Sequence, residues 1–258
     1  MALDPGAATL TDRVAVVTGA AVGIGEAVAL AFARFGADVA VCDRDAEGLA
    51  ETARAVERAG RRVVSGVFDV REAARVRDFL ESVRREFGRV DVLVNNAGGG
   101  FVAPFLEVSD KGQDALVREN FASVTHFIRG VAPLVPERGG SIINITSIEA
   151  HRAAPGYAVY SAMKAAVANL TRSLALELGD RRIRVNCIAP DMIPTPGIGD
   201  AVAETPLAVR GRVDDVAGAA IFLASDLSRF VTGSTLHVDG GGVAAGGWRR
   251  GDDGGWKV

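Results

Sequence analysis

Lysine is nearly absent from this chain: Lys111, Lys164 and Lys257 are the only three in 258 residues, against 26 arginines. Tyrosine and cysteine are as scarce, with two of each. Cys42 and Cys187 sit in apolar, strand-like segments and read as small core residues, which argues against a disulfide framework or a cysteine metal site, and no metal is expected. No apolar run approaches the ~18 residues of a membrane span. The first residues lack the positive flank and apolar core of a secretory leader. Net charge is only −3 and no long basic run occurs, so neither nucleic acid nor membrane is expected as a partner. These absences point to a cytoplasmic protein.

Where a residue type is rare, its placement carries information. Tyr160 and Lys164 stand four apart, a spacing that puts phenol and ammonium on one face of a helix. A free tyrosine titrates near ~10 and is a poor base at neutral pH. A neighbouring cation favours the phenolate and lowers that value, so Lys164 is expected to pull Tyr160 down. The pair alone is weak, because helices carry such spacings by chance. The start of the chain strengthens it. Arg13 to Thr18 is a valine-rich run, followed by Gly19, then Gly23-Ile24-Gly25, then an alanine-rich helical stretch from Glu26 to Phe35. Strand, glycine turn and helix is the setting in which backbone N–H groups and a helix N-terminus hold a pyrophosphate. A glycine-rich turn without a ligand is the alternative reading.

Short apolar runs alternate with longer amphipathic ones, the pattern of a parallel sheet covered on both faces. Strands are expected near 13–18, 38–42, 62–67, 91–95, 141–146, 182–188 and 235–238. Helices are expected at 23–36, 46–60, 71–88, 110–135, 157–180 and 213–224. This is an α/β fold, a doubly wound, Rossmann-like parallel sheet of about seven strands with helices on both faces. Residues 1–258 read as one domain, with 1–11 and 243–258 as flexible tails. Trp248 and Trp256 in the glycine-rich C-terminal stretch are large enough to dock on the body or on a partner subunit.

Four motifs then fall in one order: Thr18-Gly19-x-x-x-Gly23-Ile24-Gly25, Asn95-Asn96-Ala97-Gly98, Ser147 thirteen residues before Tyr160, and Tyr160-x-x-x-Lys164. With Asn120 placed 27 positions ahead of Ser147, the chain resembles the short-chain dehydrogenase/reductase family from about Arg13 to Gly242. The resemblance implies an NAD(H)-dependent oxidoreductase that moves a hydride between nicotinamide and a secondary alcohol or ketone. Its implied catalytic set is Asn120, Ser147, Tyr160 and Lys164. Ser147 would polarise the substrate oxygen and Tyr160 would act as general acid or base. Lys164, with a cationic cofactor ring, would lower the phenol pKa, and Asn120 would hold a relay water. Tyr157, seven residues from Lys164, fits only as a pocket or packing group.

Cofactor contacts are implied for Gly19, Gly23, Ile24, Gly25, Asp43, Arg44, Asp69, Val70, Asn96, Ala97, Gly98, Tyr160, Lys164, Pro190, Ile193 and Thr195. Asp43 ends the second strand, where a carboxylate accepts from an adenosine ribose and repels a 2′-phosphate, favouring NAD over NADP. Arg44 beside it keeps NADP open. The turn after Ala189-Pro190 carries Asp191 where the family usually has glycine. The segment from Gly197 to Pro206 reads as a mobile lid. The expected pocket is apolar, with Phe101, Val102, Phe105, Ile148, Met192, Ile198 and Val202, and suits a bulky steroid, terpenoid or hydroxyacyl thioester. Glu149 and His151 are its polar exceptions, His151 being read as a solvated loop residue. A homotetramer (or a homodimer) is implied, packed through the helices at 110–135 and 157–180. An NADPH-dependent 3-oxoacyl-thioester reductase is the alternative enzyme. A non-catalytic dinucleotide sensor or scaffold is the alternative of another class.

Overall fold

The computed structural model describes residues 4–198, 205–251 and 255–257. Its centre is a parallel seven-stranded sheet in the order β3-β2-β1-β4-β5-β6-β7. The strands are β1 (Val14–Thr18), β2 (Asp38–Asp43), β3 (Val63–Val67), β4 (Val92–Asn95), β5 (Gly140–Ile145), β6 (Ile183–Pro190) and β7 (Thr235–Val238). All seven expected strands form. β6 runs two residues past its expected end, pairing Ala189 with His237 and Pro190 with Val238. Pro190 has no N–H to donate to a ladder, and it stands at the last position of the strand.

Helices α1 (Gly23–Arg34), α2 (Ala46–Arg58), α3 (Ala73–Phe87), α4 (Asp110–Val117), α5 (Ser123–Val131), α6 (Ala158–Glu177) and α7 (Val213–Ala224) cover the sheet. Strand alternation divides the core in two. Ala15, Val17, Val39 and Val41 face α1 and α7, packing with Val28, Phe32 and Ala220. Val16, Ala40 and Cys42 face the other way, with Phe79, Phe127 and Val167 of α3, α5 and α6. Side chains of period two thus supply two apolar faces, each closed by a layer of helices. Cys42 and Cys187 are buried and free.

Local chemistry sets the helix ends. Asp45 caps α2 by accepting from the Glu47 and Gly48 N–H groups at 3.1 and 3.2 Å. Gly88 ends α3 at φ 73°, a left-handed conformation that a glycine adopts without strain. The long helix expected over 110–135 is broken. A π-helical turn, Arg118–Ala122, separates α4 from α5, and a 3₁₀ turn closes at Leu134. Outside the core sheet, Gly242–Ala245 form a short helix, α8, and Arg249–Arg250 pair antiparallel with Trp256–Lys257 as a ribbon, β8–β9. Near the N-terminus Leu10 is fully buried in the core.

Sheet order reverses between β1 and β4. In open α/β sheets the crevice beyond the strand ends at this point is where ligands bind. Every candidate site residue described below lies on that carboxyl edge or on the helices that begin there. No helix among the described residues is long and apolar enough to cross a membrane.

Candidate active site

The glycine turn after β1 is built by close backbone approach. Gly19 and Gly23 hold φ of 65° and 67°. A Cβ on Gly25 would overlap the Gly19 carbonyl oxygen and lie 2.5 Å from Asn96 Nδ2. Gly25→Ala is therefore expected to cost about 1–3 kcal/mol by overpacking, read as a lower urea midpoint with an unchanged slope. Asn96 pins the turn by donating from Nδ2 to the Thr18 and Gly19 carbonyls at 3.1 and 2.9 Å. In return the Thr18 hydroxyl accepts from the Asn96 and Ala97 N–H groups at 3.0 and 2.9 Å. At the start of α1, the N-cap residue Val22 makes no side-chain cap. The first N–H groups of that helix are donors suited to a phosphate. Thr195, from the segment after β6, passes over this turn, its Cγ2 3.0 Å from where a Gly23 Cβ would stand.

Asp43 closes β2 with its carboxylate facing the same turn. Oδ2 accepts from the Ala21 N–H at 3.0 Å, and Oδ1 from the Arg44 and Asp45 N–H groups at 2.7 and 3.1 Å. Arg44 itself is exposed. Asp69, after β3, is gripped by Arg71 through Nε at 2.9 Å and Nη2 at 2.5 Å, and this pairing holds its carboxyl below the usual range. Val70 is buried beside it. Uncapped α1 donors, the glycine turn and a fixed carboxylate at the end of β2 together fit a dinucleotide: anion donors at one end and a ribose acceptor at the other.

At the far side of the switch point, Lys164 on α6 is buried, and its Nζ donates to the Ile145 carbonyl at 3.0 Å. Among the described residues no carboxylate pairs with it, and burial brings its pKa down to about 8. The ammonium lies over the Tyr160 ring, 5.6 Å from the centroid. Asn120, in the π-helical turn, is fully buried. Its Nδ2 donates to the Gly99 and Leu116 carbonyls at 2.9 and 3.0 Å, and its Oδ1 accepts from the Gly99 N–H at 3.2 Å. Asn120 Oδ1 and Lys164 Nζ converge on Gly98: a Cβ there would stand 2.8 and 3.1 Å from them. Gly100 has the same role for Tyr160, whose ring lies 3.1 Å from a Cβ built at that position. The site thus extends past the Asn95–Gly98 motif to Gly100, and the run Gly98-Gly99-Gly100 is its signal in the sequence.

The expected lowering of the Tyr160 pKa joins Lys164 to a cationic cofactor ring, and the protein's own groups act as follows. Burial pushes the phenol above its ordinary range, opposed by a hydrogen bond with the Ser147 side chain. Ser147 also accepts from the Glu149 N–H at 3.2 Å. Tyr157 packs edge-on against Tyr160 at 6.1 Å, a packing neighbour as its spacing suggested.

A cleft of about 660 Å³ lies beyond β6 and β7, lined by Met192, Ile193, Leu207, Val209, Asp191 and His237 among others. Ser147 and Tyr160 do not line it. It adjoins them through Asp191, whose carboxylate is 3.9 Å from Arg152 on the Ser147 loop. Asp191 Oδ1 accepts from the Met192 N–H at 2.7 Å, so the residue found in place of glycine fixes this turn with its own side chain. Burial raises the Asp191 carboxyl pKa. Phe101, Val102, Phe105, Met192 and Ile198 are exposed apolar groups, while Ile193 is core. His151, expected in solvent, is half-buried against His237 at 4.8 Å, its Nε2 without a partner, and burial lowers its pKa. Val202 and most of the lid segment, residues 199–204, lie outside the described residues.

Comparison with known proteins agrees with this layout. A family profile described as "Enoyl-(Acyl carrier protein) reductase" matches residues 19–242. Gluconate 5-dehydrogenase of Gluconobacter oxydans is 37% identical over 244 residues, 90% of this chain and 95% of the relative. The 3-oxoacyl-(acyl-carrier-protein) reductase of Thermotoga maritima is 36% identical, covering 90% and 98%. A solved structure, 7α-hydroxysteroid dehydrogenase with NADH and 7-oxo glycochenodeoxycholic acid, superposes with a TM-score of 0.89 at 32% identity, covering 93% and 98%. The chain belongs to the short-chain dehydrogenase/reductase family of oxidoreductases.

Proposed function

We propose that the protein is an NAD(H)-dependent dehydrogenase of a bulky, largely apolar secondary alcohol, working through Ser147, Tyr160, Lys164 and Asn120. The observation that carries this reading is Lys164. A buried ammonium without a counter-ion is costly, and such groups concentrate at functional sites. When bound, the nicotinamide dinucleotide supplies the hydride acceptor or donor and, oxidised, a positive ring charge. Tyr160 Oη takes the alcohol proton in oxidation and returns it to the carbonyl oxygen in reduction. Ser147 Oγ donates its single proton to the same substrate oxygen. Lys164 Nζ holds positive charge over the Tyr160 ring, and the buried Asn120 keeps the Gly98–Gly99 backbone in place beside it and would hold the relay water.

The cleft volume suits a molecule of steroid size, and the exposed apolar groups support the same substrate class. The steroid dehydrogenase neighbour, solved with NADH, adds to that support. For the cofactor, Asp43 would accept from ribose hydroxyls and face a 2′-phosphate with like charge. Asp43→Ser is expected to lower the preference for NADH over NADPH by about tenfold or more. Quenching of protein fluorescence on titration with each cofactor measures this, and an unchanged ratio would remove Asp43 from that role. A native preference for NADPH would instead favour Arg44 as a phosphate partner and the 3-oxoacyl reductase reading that the Thermotoga relative supports. The reading includes a cytoplasmic homotetramer packed through α4–α5 and α6, where exposed Ala162 and Ala165 allow close approach. A panel of secondary alcohols with the preferred cofactor tests the activity itself.

A further inference from the structure

The loop after β5 carries an ion cluster that this mechanism does not use. Ser147 caps the short turn Ile148–Ala150 by accepting the Glu149 N–H. Arg152 holds the Glu149 carboxylate, donating to Oε1 from Nη2 at 2.7 Å and from Nε at 3.3 Å. The same guanidinium reaches across to Asp191 Oδ1 at 3.9 Å. It thus links the loop that leaves β5, which carries Ser147, to the loop that leaves β6, which lines the cleft. We propose that Arg152 is a positioning residue for the Ser147–Tyr160 pair, partly offsetting Glu149 so that the Ser147 turn is held and less of its negative field reaches the phenol oxygen. This rests on the acid–base reading of Tyr160.

The surroundings favour this route. Facing Tyr160 are Ser147 and Glu149 from the loop after β5, Tyr157 and Lys164 from its own helix, and the Gly100 backbone. Glu149 is the one anion among these groups, and its charge adds to the burial that already raises the phenol. Around Arg152 stand Glu149, Asp191 from the end of β6 and Asp239 after β7, all reinforcing its charge. Asp239 is committed elsewhere, accepting from the Gly241 and Val243 N–H groups at 2.9 and 2.8 Å. Burial lowers the pKa of His151 nearby, with the charges of His237 and of Arg172 on α6 acting in the same sense. Glu119, in the π-helical turn, acts on Lys164. The Arg152–Glu149 bridge is partly exposed, and such bridges add little to stability. Its consequence is therefore expected in the field at Tyr160 and not in the melting temperature.

The scarcity of tyrosine makes this measurable without a substrate. In a Tyr157→Phe background Tyr160 is the only phenol in the chain, so ultraviolet difference titration reads its ionisation alone. Removing a negative charge favours phenolate and unmasking one disfavours it. At a fixed pH below the midpoint, Glu149→Gln should carry about threefold more phenolate, and Arg152→Gln about threefold less. The double variant should lie between the two single variants, because it removes both opposite charges together. Midpoints that coincide in all variants overturn the proposal, as does an Arg152→Gln midpoint that is not raised above the parent. Should alkaline unfolding precede the titration, the pH dependence of kcat/KM on an alcohol from the panel must show the same order. Turnover retained by Tyr160→Phe would sink the acid–base reading and leave the spectroscopic order standing. An inactive Tyr160→Phe with an unmoved titration would sink this inference alone.

Discussion

Tyr160→Phe is expected to lower kcat by about 10²–10⁴-fold, the usual contribution of a positioned acid or base, while the fold and cofactor binding survive. The substitution removes one hydroxyl and nothing else. Phenylalanine keeps the ring that lies against Gly100, the edge contact with Tyr157 and the face beneath the Lys164 ammonium. Its hydrogen bond with Ser147 is lost, at a cost of about 1 kcal/mol, and a denaturant midpoint should register no more than that. Turnover and cofactor titration must therefore separate. Loss of both together would mean that the variant disturbs the glycine run beside it, and retained turnover would take the proton from another group. The pH profile refines the test. Burial raises the phenol in the free protein, so oxidation, which needs phenolate, should gain rate as pH rises towards that midpoint, and Tyr160→Phe should flatten the profile.

The sheet was legible because its signal is redundant. Each strand is a short valine- or isoleucine-rich run, and each main helix carries a period that leaves one apolar face. Less legible was the break at 118–122. Asn120 is a poor residue for a helix interior, and that was the only hint. A π-helical turn forms where the backbone must admit a side chain to its own core, and here the Asn120 amide bonds the Leu116 and Gly99 carbonyls. Such turns are frequent at functional sites, but nothing in a window of sequence distinguishes one from a continuous helix. The electrostatics were the least legible part. Four-residue spacing brings Lys164 and Tyr160 together, as the face argument required, yet it does not say where the ammonium points. A carbonyl at the end of β5 decides that, and Ile145 is distant in sequence. Arg152 escaped notice for a related reason: its importance comes from bridging two loops, and an arginine three residues from a glutamate is common on any surface. Asp191 was visible as a departure, but not that its own Met192 N–H would satisfy it.

Lys164→Met is expected to abolish turnover and yet stabilise the fold at neutral pH. The sign follows from the direction of the shift. In the folded protein burial brings the ammonium to about 8, against an ordinary 10.5. The unfolded chain therefore binds more protons than the folded one between these values, and native stability rises with pH across that window. Below about 8 the penalty for burying the charge is fully present, and the 2.5-unit difference corresponds to about 3 kcal/mol. Methionine fills a similar volume with no charge, but it leaves the Ile145 carbonyl without its 3.0 Å donor. An unpaired buried acceptor costs about 1–3 kcal/mol, so the expected net gain at pH 7 is about 1 kcal/mol. Unlike that offset, the charge penalty depends on pH. Between pH 7 and pH 10 the variant's advantage should fall by about 2 kcal/mol and reverse, because the native lysine is then neutral in place. Urea midpoints of both proteins at the two pH values measure this directly. An inactive variant whose stability difference does not move with pH would mean that the ammonium is compensated in the native state. Lys164 would then be an ordinary buried cation, and its place over the Tyr160 ring would lose the electrostatic cost that marks it as functional.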